Sequence, residues 1–279
     1  MSEVSISARL PVITSTVSKQ HLLRKNDDTC VARIEKVSRM RQTNNYEKTW
    51  EGYWATFKDV SDHPIWDVDA EKAGAIDLPR FQHLMDPTLP LVDFGCGNGS
   101  QTRFLAQHFQ QVLGVDVAPA AIELAATLGK PANVEYRVLD ALREDDAKTL
   151  HAELGDVNIY MRTVLHQLSA RDQPACAATL TSLLGRNGTL YLIELAAEAK
   201  AYLTQLKDQQ GEPPPSLKKV LEHGIVPGGV DRDRILALFG ADHFAVLTEG
   251  RGVINTIHTF PNGENAQVPA YYMVLRARC

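Results

Sequence analysis

Cysteine is scarce and scattered: Cys30, Cys96, Cys176 and Cys279 stand far apart in a chain of 279 residues, with no CxxC pair. That spacing argues against a zinc knuckle, and so few cysteines in so long a chain argue against a disulfide scaffold. No uninterrupted apolar run approaches the ~18 residues needed to cross a bilayer. The N-terminus shows no charged-then-apolar secretion pattern either. An excess of positive charge is also missing. The 29 Lys and Arg against 34 Asp and Glu give a net charge of −5, so no global basic field exists to gather nucleic acid. What remains is an average globular composition, 44% hydrophobic and 23% charged, at a length that suits one large domain or two small ones. The expectation is a cytoplasmic globular protein with neither nucleic acid nor membrane as partner.

Three regions differ along the chain. Residues 1–40 are expected to form a partly disordered tail with a short helix, because Cys30, Ile34 and Val37 fall at i, i+4 and i+7. Residues 41–87 form an aromatic-rich helical cap: Tyr46, Trp50, Tyr53, Trp54, Phe57 and Trp66 crowd one window that holds all three tryptophans. Tyr46, Trp50 and Trp54 lie on one helix face, which favours a lid with some packing role. From about residue 88, short apolar runs alternate with helical patterns. LVDF (91–94), VLGVDV (112–117), VEYRVLD (134–140), DVNIYMR (156–162) and GTLYLIEL (188–195) read as strands. Helices are expected over 102–109, 119–129 and 171–184, the last with Ser169 as N-cap. Such alternation implies right-handed βαβ units and a doubly wound, mainly parallel sheet. The rhythm breaks at an insertion over about 196–230. A helix over 231–240 follows, then strands 244–250 and 270–278 joined through a segment that ends in the polar loop TFPNGENAQVP.

The densest signal is Asp93-Phe-Gly95-Cys-Gly97-Asn-Gly99-Ser100, at a strand-to-helix junction. Free N–H groups and the helix dipole face a ligand there, and alternating glycines let the backbone approach it closely. A nicotinamide fingerprint wants G-x-G-x-x-G, and Ser100 stands where its third glycine belongs. Three carboxylates sharpen the choice. Asp116 near the end of the second strand suits a ribose diol, and Asp140 ending the third suits an adenine amino group. Asp93 favours a cationic amine and repels a pyrophosphate. The combination fits S-adenosylmethionine better than NAD.

VDFGCGNGSQT, GVDVAPAAIELA, VLDAL and MRTVLHQL together resemble the ordered motifs of class I S-adenosylmethionine-dependent methyltransferases, in particular the small-molecule branch, over about residues 88–195. The resemblance implies a seven-stranded sheet of order 3-2-1-4-5-7-6 with the last strand antiparallel and helices on both faces. It implies that Gly95, Gly97 and Gly99 line the methionine portion with Asp93 near its amino group. Asp116 would grip the ribose, Val117 would cover the adenine, and Asp140 and Ala141 would meet its edge. Arg162 would lie under the methionine portion or at the mouth of the acceptor pocket. The cofactor would leave as S-adenosylhomocysteine, and no metal is expected.

His166, after the fourth strand, is the candidate general base. His223 and His258 are alternatives, and Gln167 stands where a second histidine often follows. Tyr46, Trp50, Trp54 and His223 are candidate lid or substrate residues. Glu194 either points into the pocket or forms a surface pair. Cys96 reads as a small filler. The expected activity is methyl transfer (EC 2.1.1.-) to an O or N atom of a small molecule, a secondary metabolite, by in-line displacement. Rival readings are an RNA or protein methyltransferase, a nicotinamide-dependent oxidoreductase, or a silent cofactor-binding protein. Monomer and homodimer stay open.

Overall fold

A computed structural model describes residues 45–57, 63–206, 211–226, 228–260 and 262–278. The expected N-terminal tail and the helix around Ile34 lie outside the described residues. Seven strands, β1 (Leu91–Phe94), β2 (Val112–Asp116), β3 (Val134–Val138), β4 (Asn158–Arg162), β5 (Thr189–Leu195), β6 (Phe244–Thr259) and β7 (Asn265–Ala277), make one sheet. Its order is β3-β2-β1-β4-β5-β7-β6. The first five strands run parallel, and β7 runs antiparallel to both β5 and β6. The expected sheet order and orientation are therefore found. β1 and β5 are buried at every position, as strands covered on both faces require.

The period-2 alternation of side chains divides the interior. Val92, Ile159, Met161, Leu190 and Leu192 face one core, and Leu91, Tyr160, Tyr191 and Ile193 face the other. The described helices are α1 (45–54), α2 (Ala70–Phe81), α3 (Ser100–Leu105), α4 (Pro119–Leu128), α5 (Glu144–Leu154), α6 (Gln173–Leu184), α7 (Ala199–Gln205), α8 (Pro215–Glu222) and α9 (Arg232–Phe239). A third apolar cluster joins Tyr53, Trp54 and Phe57 to Ala118 and Ala121 of the α4 region and to Leu217 and Val220 of α8.

Three local expectations need correction. Helix α5 has no counterpart in the sequence reading, because its thin apolar stripe buries only Ala147 and Leu150. Glu144, Asp145 and Asp146 stabilise its first turn against the helix dipole. Asp172, not Ser169, precedes α6, and the Ser169 hydroxyl instead donates to the Asp172 carboxylate at 2.8 Å. The last two strands are much longer than expected, pairing from Phe244↔Ala277 out to Thr259↔Asn265. Pro269 sits inside β7, where its carbonyl still accepts from the Ala196 N–H at 3.0 Å. Side chains hold the hairpin end, with Asn265 Nδ2 donating to Thr256 O at 2.7 Å.

Candidate active site

A cleft opens at the carboxyl ends of β1, β2, β3 and β4, where α/β sheets bind ligands. Its floor is the turn from β1 into α3. The Gly95 and Cys96 N–H groups both donate to Val115 O, at 2.8 and 2.9 Å, so the turn is tied to β2. Gly97 adopts φ +53, and a Cβ there would come within 2.6 Å of the Trp54 ring. The indole therefore lies directly over the glycine loop.

Asp116 is fixed by the backbone: Oδ2 accepts from Gly97 N and Oδ1 from Ala118 N, both at 3.0 Å. Each oxygen keeps a second lone pair toward the cleft. Asp93 is buried beneath the loop, accepting from the Thr102 hydroxyl at 2.6 Å. Burial pushes its carboxyl up to about 7, neighbouring Asp116 adds to the rise, and Thr102 and Arg162 oppose it. Asp140 accepts from Leu142 N at 2.9 Å and is also raised, chiefly by burial. Val117, Ala141 and Arg162 line the same cleft. Cys96 lines it too, with a thiol that burial pushes well above its ordinary value, which suits an inert filler.

The roof is α1. Tyr46 donates its hydroxyl to Asp172 Oδ2 at 3.0 Å and accepts from Ser169 N at 2.9 Å. One and a half turns on, Glu51 accepts from Ala120 N at 2.8 Å, in the first turn of α4, where a carboxylate meets the helix dipole favourably. The helix is thus strapped to both the β2 and β4 sides, and Tyr46, Trp50 and Trp54 all line the cleft. The aromatic window is at once packing core and wall.

Four candidates fall elsewhere. Gly99 does not line the cleft; it starts α3 at φ +72, with the Tyr136 hydroxyl 2.5 Å from where its Cβ would stand. His223 packs edge-on against Tyr53, ring centroids 5.6 Å apart, and its Nδ1 meets Lys219 O at 2.9 Å, so it is part of the cap. Glu194 neither lines the cleft nor forms a surface pair. It is fully buried, accepts hydrogen bonds from three backbone N–H groups of the loop after β4, and meets the His166 ring Nδ1 at 2.8 Å. His166 and Gln167 do line the cleft, whereas His258 lies along β6 against Phe260.

A methyltransferase-domain family model matches residues 91–188. A crystallised SAM-dependent methyltransferase from Anabaena variabilis ATCC 29413 shares 39% identity, over 85% of this chain and 95% of that one, with a TM-score of 0.77. The chain belongs to the S-adenosylmethionine-dependent methyltransferases. Two more distant structures share the fold. The magnesium protoporphyrin IX methyltransferase of Synechocystis PCC 6803, crystallised with S-adenosylhomocysteine, is 18% identical over 86% of this chain and all of that one, at TM-score 0.52. A protein described for conversion of a disulfide bond into a thioacetal group in echinomycin biosynthesis is 18% identical over 83% and 92%, at TM-score 0.60. No functionally curated protein sequence matches this chain. Membership of the family removes the nicotinamide alternative. Among the described residues of this methyltransferase, no three His, Cys, Asp or Glu side chains gather as a metal site, and no helix is long and apolar enough to cross a membrane.

One polar hub of the methyltransferase went unforeseen. Asp77 of α2 is buried against the sheet, where Oδ1 accepts from the Tyr191 hydroxyl at 2.7 Å and from Arg80 at 2.9 Å. Oδ2 accepts from the Tyr160 hydroxyl at 3.2 Å and faces the Arg162 Nε at 3.6 Å. That Nε is buried without a hydrogen-bond partner at the cleft's edge. Replacing Asp77 with alanine strands two tyrosine hydroxyls and two guanidinium groups. The expected loss is about 3–5 kcal/mol, as when one member of a buried pair is removed. A melting temperature lower by roughly 10 °C would show it by calorimetry; a shift within about 1 °C would mean the hub holds nothing.

Proposed function

We propose that this methyltransferase acts on an oxygen or nitrogen atom of a small, largely apolar molecule, a secondary metabolite, by in-line displacement. The observation that carries the reading is the cleft's continuation beyond the glycine loop. It runs between Trp50, Trp66, Leu203, Ile254 and Val268, and Arg162 is the one permanent cation among its described lining residues. A polynucleotide would need a run of cations, and a flat protein surface would not enter an aromatic-roofed cleft.

The residues fit the cofactor. Gly95 and Gly97 line the cleft, so the methionine portion lies against a main chain that carries no Cβ. The free lone pairs of Asp116 suit two ribose hydroxyls, Val117 covers the adenine, and Asp140 with Ala141 meets its edge. Asp93 sits near the amino group, and the Arg162 Nε, which faces Asp77 but makes no hydrogen bond, is available to the carboxylate. When bound, the cofactor supplies an electrophilic methyl on a positively charged sulfur. Trp50, Trp54 and Tyr46 exclude water above it and align the acceptor. His166 accepts the proton that the acceptor atom gives up.

The raised Asp93 carboxyl gives a pH signature. In the free protein the acid is half protonated near pH 7, whereas a bound ammonium favours its ionised form, so affinity rises with pH. From pH 7 to pH 6 the affinity for S-adenosylmethionine is expected to fall about fivefold. About 0.9 proton is released per ligand bound at pH 6, read from the buffer dependence of the titration enthalpy. Asp93→Asn removes both effects. A wild-type protein with pH-independent affinity across this window would place Asp93 away from the amino group.

The acceptor reading is tested by S-adenosylhomocysteine release on phenolic, polyketide-like and amine acceptors, beside tRNA and protein panels. Turnover on small aromatic acceptors is expected. Turnover confined to RNA or protein would sink the reading.

A further inference from the structure

Glu194 is the one fully buried carboxylate at the active site that none of the roles above uses. It stands next to last in β5, paired across to Tyr271 of β7, with no exposed surface. Three backbone donors and one imidazole nitrogen converge on it. Oε1 accepts from the N–H of Val164 at 2.8 Å and of Leu165 at 2.7 Å. Oε2 accepts from the N–H of His166 at 3.2 Å and lies 2.8 Å from its ring Nδ1. An acceptor-only carboxylate is what such a ring of donors requires.

The chain reaches this geometry through an unusual turn. Thr163, immediately after β4, has φ +62 and is the one non-glycine residue with positive φ among the described residues. A β-branched side chain is poorly suited to that region, and the conformation persists because the surrounding bonds over-determine it. Three backbone donors alone would fix the loop. The fourth bond, to Nδ1, instead fixes which ring nitrogen carries the proton.

We propose that Glu194 is the positioning residue of this active site, holding the His166 imidazole in its Nδ1–H tautomer so that Nε2 presents a lone pair to the acceptor. The inference rests on the His166 role proposed above. The neighbour of Nε2 agrees with it: the Gln167 side-chain amide nitrogen, a donor, lies 2.6 Å away and is matched to an Nε2 that accepts. Gln167 also lines the cleft, so its amide caps the lone pair until an acceptor's hydroxyl or amine takes its place. Nε2 then takes the proton as the acceptor's lone pair forms the bond to the methyl carbon, and the electrons of the broken carbon–sulfur bond stay on sulfur. The imidazolium so formed lies against the Glu194 carboxylate, with the ring already oriented.

The test reads the ring directly and needs no acceptor. Nitrogen-15 NMR of histidine-labelled protein saturated with S-adenosylhomocysteine, with His166 assigned by its loss in His166→Asn, reports the protonation of each ring nitrogen. The wild type is expected to show Nδ1 protonated and Nε2 bare near pH 7.5. In Glu194→Gln the amide replaces the carboxylate opposite Nδ1, and the tautomer is expected to reverse to Nε2–H. Unchanged S-adenosylhomocysteine affinity shows that the variant is folded. If it does not fold, Glu194→Asp, which withdraws the carboxylate by one methylene, is expected to yield a mixture of tautomers. An Nε2–H tautomer in the wild type, or a folded variant that keeps Nδ1–H, would overturn the proposal. An acceptor screen without product would instead remove the small-molecule reading and leave this result standing.

Discussion

Asp116→Ala is expected to bind S-adenosylhomocysteine at least about 100-fold more weakly than the wild type, measured by isothermal titration. A hydrogen bond to a charged acceptor contributes about 1.5–3 kcal/mol, and two ribose hydroxyls would be lost together. Since about 1.4 kcal/mol is a factor of ten, the pair alone accounts for two decades or more. A second effect acts in the same direction. Both oxygens already hold Gly97 N and Ala118 N, at 3.0 Å each, so the carboxylate fixes the glycine loop that the methionine portion must meet. These N–H groups lie at the cleft, where water can replace the lost acceptor, and the fold is expected to survive. Asp116→Asn separates the two contributions, because one side-chain oxygen remains as an acceptor while the charge is lost. A loss of about tenfold is expected there. If folded Asp116→Ala binds as tightly as the wild type, the ribose does not lie at the end of β2.

What could be read in advance was local. The strand cores, the glycine loop and the two carboxylates at strand ends sit within a few residues of the turns that fix them. Their chemistry therefore shows in short stretches such as Asp93–Ser100 and Asp116–Pro119. What could not be read was carried by partners far apart in the chain. Glu194 meets residues 28 to 30 positions away, Asp77 meets Tyr160 and Tyr191 across 83 and 114, and Tyr46 meets Asp172 across 126. No periodicity marks such pairs, since each partner alone looks like an ordinary strand or helix residue. His223 shows the converse: its residue type suggested chemistry, whereas the structure places its ring against Tyr53 inside the cap. Helix α5 escaped for a third reason. Its stability rests on acidic residues at the N-terminus and on two buried side chains, so the apolar stripe that normally betrays a helix is nearly absent.

His166→Ala is expected to lower turnover by about 10²–10⁴ on an acceptor whose hydroxyl stays protonated at neutral pH, the usual span for a lost general base. Its S-adenosylhomocysteine affinity should match the wild type, since His166 lines the cleft but holds no part of the cofactor in the roles proposed here. The size of the effect should depend on the acceptor, and that dependence separates a base from a wall of the pocket. A simple phenol ionises near pH 10 and must lose its proton as the oxygen attacks. A nitrated analogue that is already ionised at the assay pH has no proton to give, so removal of the base should cost it no more than about threefold. Comparing kcat for the two acceptors in wild type and variant reads the difference directly. Equal losses on both would mean that the imidazole only shapes the pocket, and that methyl transfer here relies on alignment alone. The position of the ring favours the first outcome, because its Nδ1 is held by Glu194 at 2.8 Å while Nε2 is covered only by the Gln167 amide, a side chain that lines the same cleft.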